Sequence, residues 1–428
     1  MSVKIKKITF ILFVLFFCAD HCLWLVNSNA QNIITETFSI IIPCMLIFCF
    51  RKNLLQEPLN KERYHFGYNI LFFVIMVFYS SIQAYFMYGQ SIIHTFLLQR
   101  HIIVGFLLYF VIMWYINHKS YALESLTKMI FFLGLLELTL YIAQYLLIDQ
   151  VRFLQANYTI RMNEVRMNLD AIAVPFLIFY SMNNIYKNKQ ITWKEIAPLV
   201  TGLFYSFFIA KTRIVLVAYT VAFIAGYLVW KKGGKKKIGV LFILIAFVCY
   251  LAQTELFSLL IDGLNNVDPS AQTRTIGREL YIQRIIQHPL LGSGYIFSGN
   301  AKASAYAGID QGIYWVDLGF FGIAFFYGMV GVLWFTILYS KILIRSFKMA
   351  KKGNYIFWMY SIYLIILSFN GTGYMWYISN TFGLVLWLCL IEGNYNRINS
   401  ECHNTLYVKK VGDRHGRKKQ TIRAIENS

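Results

Sequence analysis

The stretch QTRTIGRELYIQRIIQHPLLGSGY, residues 272–295, sets Arg274, Arg278 and Arg284 around Tyr281 and then runs into His288, Pro289, Gly292 and Gly294. A guanidinium presents a planar fork of donors that matches the oxygens of a phosphate or carboxylate. More basic residues stand at Arg152, Arg161, Arg166, Lys211, Arg213 and Lys302. Acids are fewer. Asp310, Tyr314 and Asp317 follow at i, i+4 and i+7 in AYAGIDQGIYWVDLGFFG. Such types could hold an anionic group with arginine and move a proton with a carboxylate or an imidazole. Plainer readings stand beside these: the arginines could pair with Glu164, Asp268 or Glu279, or meet lipid headgroups. The seven cysteines have no zinc-like spacing with histidine, so neither a metal nor a disulfide framework is expected.

Several local elements must position these residues. From Ile276 to His288 the pattern predicts a helix on which Arg278, Tyr281, Arg284, Ile285 and His288 share a sector of roughly 120°. Pro289 ends it, and Gly292 and Gly294 allow a sharp turn or a close backbone approach. An amphipathic helix lying at a membrane surface is the plain version of the same pattern. Asp310, Tyr314 and Asp317 would lie on one face of a helix that enters the next apolar segment, Asp317 about two turns deeper than Asp310. An acid at that depth is costly unless it is paired, with Arg213 as a candidate partner, or lines a site.

The 428 residues are 58% hydrophobic and only 14% charged, against about 25% charged in an ordinary soluble domain. Apolar runs are expected to span a bilayer at roughly 8–26, 32–50, 66–87, 92–116, 127–148, 168–186, 195–210, 214–230, 238–253, 313–340, 354–369 and 373–392. The expected fold is therefore an all-α, polytopic transmembrane helical bundle of about twelve spans, with a large external loop between spans 9 and 10. It occupies residues 1–392, with external loops at 149–167 and 254–312, and leaves a basic cytoplasmic tail at 393–428. MSVKIKK followed by ITFILFVLFFCA resembles a signal peptide, but the many later spans favour an uncleaved first span.

The formal charge of +20 is gathered in short clusters such as Lys4–Lys7, Arg51–Arg63, Lys231–Lys237 and Lys341–Lys352. These all fall on one side of the alternating spans, which marks that side, and both termini, as cytoplasmic. This distribution argues against nucleic acid as a partner. The arginines of the two long loops and of the turn at Lys211–Arg213 fall on the opposite side, against the rule. An anionic partner near the outer membrane surface would explain them.

These features resemble the O-antigen polymerase and ligase superfamily, the Wzy-like integral membrane glycosyltransferases of surface polysaccharides such as capsule and exopolysaccharide. FFIAKTRIVLVAYTVAFIAGYLV, residues 207–229, is similar to that family's turn of a small polar residue and arginine between two spans, with Thr212-Arg213 where Ser-Arg is commoner. IGRELYIQRIIQHPLLGSGY resembles its Gly-Arg opening, apolar helix and Gly-x-Gly close, and IDQGIYWVDLGFFG resembles the segment that ends Gly-x-x-Gly. The likeness covers about the latter half of the chain, where the order of the motifs matches too. It implies transfer of a glycan from undecaprenyl diphosphate to another lipid-linked repeat unit outside the cytoplasmic membrane of a bacterium, without a nucleotide sugar, metal or other cofactor.

On this resemblance Arg213 and Arg278 match motif positions: Arg213 would bind diphosphate, Arg278 would act catalytically by stabilising the leaving diphosphate, and the proton acceptor would be Asp310 first and His288 second. Arg274, Arg284, Arg161 and Arg166 are candidates by location. Asp317 and Tyr314 would line the cavity. Ligases of the family carry a histidine where this chain has Asp310, which favours a polymerase. A flippase for the lipid-linked unit and a membrane scaffold are the alternatives; a separate flippase and a chain-length regulator are conceivable partners. Against the flippase, the two halves show no repeat, and the unexpected charge is concentrated outside rather than in a central cavity.

Overall fold

The computed structural model describes residues 2–56, 64–161, 164–169, 171–188, 192–230, 238, 269–371 and 377–399, and the chain is mostly helical. Helices α1 (Ser2–Ala19), α2 (Ser28–Gln56), α3 (Gly67–Tyr88), α4 (Ile92–Leu98), α5 (Arg100–His118) and α6 (Ala122–Leu146) come first. A hairpin of β1 (Asn157–Arg161) and β2 (Glu164–Asn168) precedes α7 (Val174–Lys187), α8 (Trp193–Phe204) and α9 (Arg213–Val229). Next come α10 (Pro269–Gln287), α11 (Ala301–Ala307), α12 (Phe320–Lys351), α13 (Ile356–Asn370) and α14, residues 378–399.

Among the described residues, five helices are long and apolar enough to cross a membrane: Asn29–Asn53, Gly67–Tyr88, Arg100–His118, Ala122–Leu146 and Phe320–Lys351. Ile8–Ala19, Arg213–Val229 and Ile356–Phe369 are shorter apolar helices. Phe38, Ile41, Met45 and Phe48 on α2 are exposed at helical spacing, as are Phe72, Ile75 and Phe78 on α3 and Met329, Leu333 and Ile337 on α12. Meanwhile Ser80, Ser81, Gln99, Glu137 and Gln144 are buried. Apolar stripes outside and polar groups inside suit hydrocarbon as the solvent. The expected ninth span at 238–253, the loop up to Asp268 and the tail from residue 400 lie outside the described residues.

Three expected elements take a different form. Expected span 92–116 divides into α4 and α5 at Gln99, which is wholly buried, donates to the Thr95 carbonyl at 3.2 Å and accepts from Tyr327 at 3.1 Å. Expected loop 149–167 holds the β1–β2 hairpin, paired with Thr159 opposite Arg166. Its approach is fixed by Gln144, which accepts from the amides of Phe153 (2.7 Å) and Leu154 (2.8 Å) and donates to the Val151 carbonyl (2.8 Å). The hairpin also takes the start of expected span 168–186, so α7 begins only at Val174. There Glu137 of α6, wholly buried, accepts the otherwise unmatched amides of Ala173 and Val174.

Helix α12 is interrupted at Gly328 (φ 60°, ψ −154°), a conformation open to glycine alone. The chain leaving α10 lies in that interruption: Pro289 and Leu290 carbonyls accept from Met329 and Val330 at 2.8 and 3.3 Å, and Ser293 donates to the Phe325 carbonyl at 2.7 Å. Gly292 and Gly294 have φ of +70° and +81°. The sharp turn and close approach expected of these glycines are both present. Non-helical backbone within a bundle needs such partners, since lipid offers none.

At the lysine-rich end, Glu392 of α14 accepts from the amides of His65 (2.7 Å) and Phe66 (3.4 Å) and from the Tyr109 hydroxyl. It thereby ties the start of α3 to α5 and α14.

Candidate functional site

Helix α10 begins at Pro269, earlier than the pattern predicts, and so takes in Arg274. A Cβ on Gly277 would lie 2.9 Å from Ile313 Cγ2 and 3.2 Å from Leu318, so α10 rests directly on the 313–318 segment. Tyr281 is wholly buried and stacks on Phe325 with ring centroids 4.2 Å apart. It is therefore an anchor in the core, and the sector that groups it with the arginines is not a uniform working face. Ile276, Ile282 and Ile286 on the other side are exposed, as an interfacial helix requires.

The arginines of α10 have different surroundings. Arg278, half-buried, makes no hydrogen bond or ion pair with any described residue. Arg284 lies over the Tyr306 ring at 4.2 Å and reaches Gln287 Oε1 at 3.4 Å, so it is already engaged. Arg274 lines a cleft of about 210 Å³ together with Thr273, Gly312, Tyr314 and Asp317. Arg274 and Asp317 face this cleft without forming an ion pair. His288 closes the helix through its backbone: its amide donates to Arg284 (3.2 Å) and its carbonyl accepts from Gly292 (3.1 Å).

Asp310, Tyr314 and Asp317 do not share a helical face. Positive φ at Gly308, Gly312 and Gly319 divides the segment into the single turns Ile309–Gln311 and Trp315–Leu318, and α12 starts only at Phe320. Asp317 is consequently exposed at the cleft rather than two turns down in the bundle. Asp310 points elsewhere and accepts from Ser304 at 2.9 Å, which ties it to α11.

A second basic cluster forms where β2 meets the turn before α9. Arg166 Nε donates to the Ala210 carbonyl at 2.8 Å, and its Nη2 donates to Thr212 Oγ1 at 3.1 Å. Both acceptors are neutral. Burial lowers the pKa of Arg166 from its ordinary range and Arg213 adds to this as a neighbouring positive charge, partly offset by Tyr205. Lys211 adjoins them in a left-handed conformation (φ 45°) and is 3% exposed. Arg161 holds the last position of β1, opposite Glu164.

The structure thus brings Arg166 to Arg213, and Arg274 to Tyr314 and Asp317. The two groups flank one helix. Helix α13 packs along α9, which begins at Arg213, and its end at Gly371 approaches the Val316 carbonyl beside Asp317. Sequence reasoning underrated Lys211, whose burial has no local signature beyond its place between two apolar runs. No set of three histidine, cysteine or acidic side chains suited to a metal occurs among the described residues. Compared with known families and with curated proteins, the chain matches no family model and no individual protein.

Proposed function

We propose that the protein is an integral membrane glycosyltransferase that polymerises oligosaccharide repeat units carried on undecaprenyl diphosphate, at the outer face of a bacterial cytoplasmic membrane. The observation that carries this reading is Arg166: a half-buried guanidinium whose hydrogen bonds go to neutral acceptors and whose charged neighbour is another arginine. Such an arrangement favours an anion, and a diphosphate supplies one with several acceptor oxygens.

In this reading the bundle has about twelve spans, with its lysine-rich ends in the cytoplasm. Arg166 and Arg213 hold one diphosphate, and Arg274 and Arg278 hold the other. A hydroxyl of the acceptor unit attacks the anomeric carbon of the donor glycan as the bond from that carbon to the diphosphate oxygen breaks. The hydroxyl proton passes to Asp317, which opens onto the arginine-lined cleft and is better placed than Asp310. The lipid diphosphate leaves with the bonding electrons, and preorganised guanidinium groups stabilise its growing charge.

The test is made in the native host with Arg166→Ala, Arg213→Ala and Asp317→Asn, each shown to reach the membrane. Lipid-linked glycan is extracted, sized and assigned to a membrane face. Single repeats accumulating on the outer face are the expected result. Single repeats confined to the inner face would replace this reading with a flippase, and a full ladder in all three variants would remove these residues from the site.

A further inference from the structure

Beneath α10 and α11 lies a group of polar atoms that the fold does not use. The hydroxyls of Tyr88, Tyr281 and Ser293 and Nε of Arg284 are all buried, and none has a hydrogen-bond partner among the described residues. Tyr281 and Ser293 are wholly buried and Tyr88 is 5% exposed. They belong together, because Tyr306 meets the Tyr88 ring and lies under Arg284, while Ser293 and Tyr281 both contact Phe325. Buried hydroxyls nearly always find a partner, so several orphans in one place point to a missing one.

The walls and the roof indicate what that partner is. Tyr88 and Tyr306 ring centroids are 5.6 Å apart, Tyr306 stacks near Phe325 at 6.2 Å, and Phe325 stacks on Tyr281. Tyr306 comes from α11, a seven-residue helix that ends at Gly308 with φ +73°. Around this roof Tyr306 meets Gln287 Oε1 at 3.2 Å and lies under Arg284, Asn300 donates to the Tyr88 carbonyl at 3.4 Å, and Ser304 donates to Asp310, while Ala303 and Ala307 are wholly buried. The Tyr306–Gln287 contact lies at the surface. Hydroxyls that both donate and accept, set beside aromatic faces and one guanidinium, suit a ring that carries hydroxyls of its own. A bare anion would call only for donors.

We propose that Tyr88, Tyr281, Ser293 and Arg284 form a binding subsite for a single sugar ring, roofed by α11 through Tyr306. Asp310 then serves as a positioning residue that holds α11 down, rather than as the proton acceptor. The subsite rests on the preceding reading for the identity of the larger substrate, whereas binding of a sugar ring stands or falls by itself.

The experiment uses the full chain purified in lipid nanodiscs. Saturation-transfer NMR is recorded with methyl glycosides of glucose, galactose, N-acetylglucosamine and glucuronic acid, and phosphorus NMR with inorganic diphosphate. At least one glycoside binds the wild type, and its affinity falls about tenfold in Tyr88→Phe/Tyr281→Phe, the loss of roughly two hydrogen bonds. Diphosphate binding is the same in both proteins. The ligand-free thermal midpoint of the variant equals or exceeds that of the wild type, because the deleted hydroxyls had no partner. Three results overturn the proposal: no glycoside binds, the affinity is unchanged in the variant, or the variant is less stable. The last would show that the hydroxyls serve the fold, for instance through a buried water. A cell-based defect in glycan length reports on polymerisation and does not bear on this binding test, so the two readings can fail separately.

Discussion

Gly328→Ala is the sharpest test of how the bundle holds the candidate site. A Cβ at this position would lie 2.5 Å from the carbonyl carbon and oxygen of Leu290 and 2.6 Å from the Gly292 nitrogen. All three neighbours are backbone atoms, so no rotamer change relieves the clash. Holding alanine at φ 60°, ψ −154° costs about 1–3 kcal/mol, and the added volume costs about 1–3 kcal/mol more. The sum is roughly 2–6 kcal/mol, before the Met329–Pro289 and Val330–Leu290 hydrogen bonds loosen. Gly89→Ala is the control, because Gly89 also has positive φ (+70°) but nothing within 4 Å of an added Cβ. It bears only the left-handed penalty of about 1–2 kcal/mol. Thermal unfolding in detergent should therefore rank wild type, Gly89→Ala and Gly328→Ala in falling order. Protease cleavage within residues 288–300 should rise in Gly328→Ala alone. If Gly328→Ala unfolds no earlier than Gly89→Ala, the close approach of the two backbones does not support the site.

Two further outcomes follow from buried polar groups. Gln99→Leu leaves the buried Tyr327 hydroxyl without its acceptor and should cost about 1–3 kcal/mol, while adding Tyr327→Phe recovers part of that loss. Strictly additive losses in detergent unfolding would contradict the coupling. Burial, followed by the charge of Arg345, lowers His65 from the ordinary 6.5 to about 4. The unfolded chain therefore takes up a proton at pH values where the folded chain does not. The contribution of His65 to stability is complete above about 6.5 and is lost as pH falls toward 4. His65→Gln should flatten that part of the thermal midpoint profile, and superimposable profiles would refute the assignment.

The apolar helices were legible because an apolar run announces them, although α4 and α5 divide a single run. The β1–β2 hairpin was not, since Tyr158, Ile160, Val165 and Met167 alternate over too few residues to stand out beside long apolar segments. Around Asp310 the spacing suggested a helix, yet the glycines in that stretch had a stronger claim on the backbone. The α10 arginines were found by type, but their surroundings differ in ways no periodicity reports: Arg284 rests on Tyr306, while Arg278 has no described partner. Tyr281 looked like part of the working face and proved to be the anchor that stacks on Phe325.

By itself the sequence determined that the chain builds apolar helices fit for a membrane and that arginines interrupt them. A helix satisfies its backbone locally, so neighbouring residues suffice to specify it. Only the tertiary structure decided which charges meet. Arg166 reaches Thr212 because a hairpin folds against a turn 46 positions away, and Asp317 shares a cleft with Arg274 because Gly277 lets α10 settle on the segment after Gly312. Those encounters depend on contacts between distant segments and on where a missing side chain leaves room.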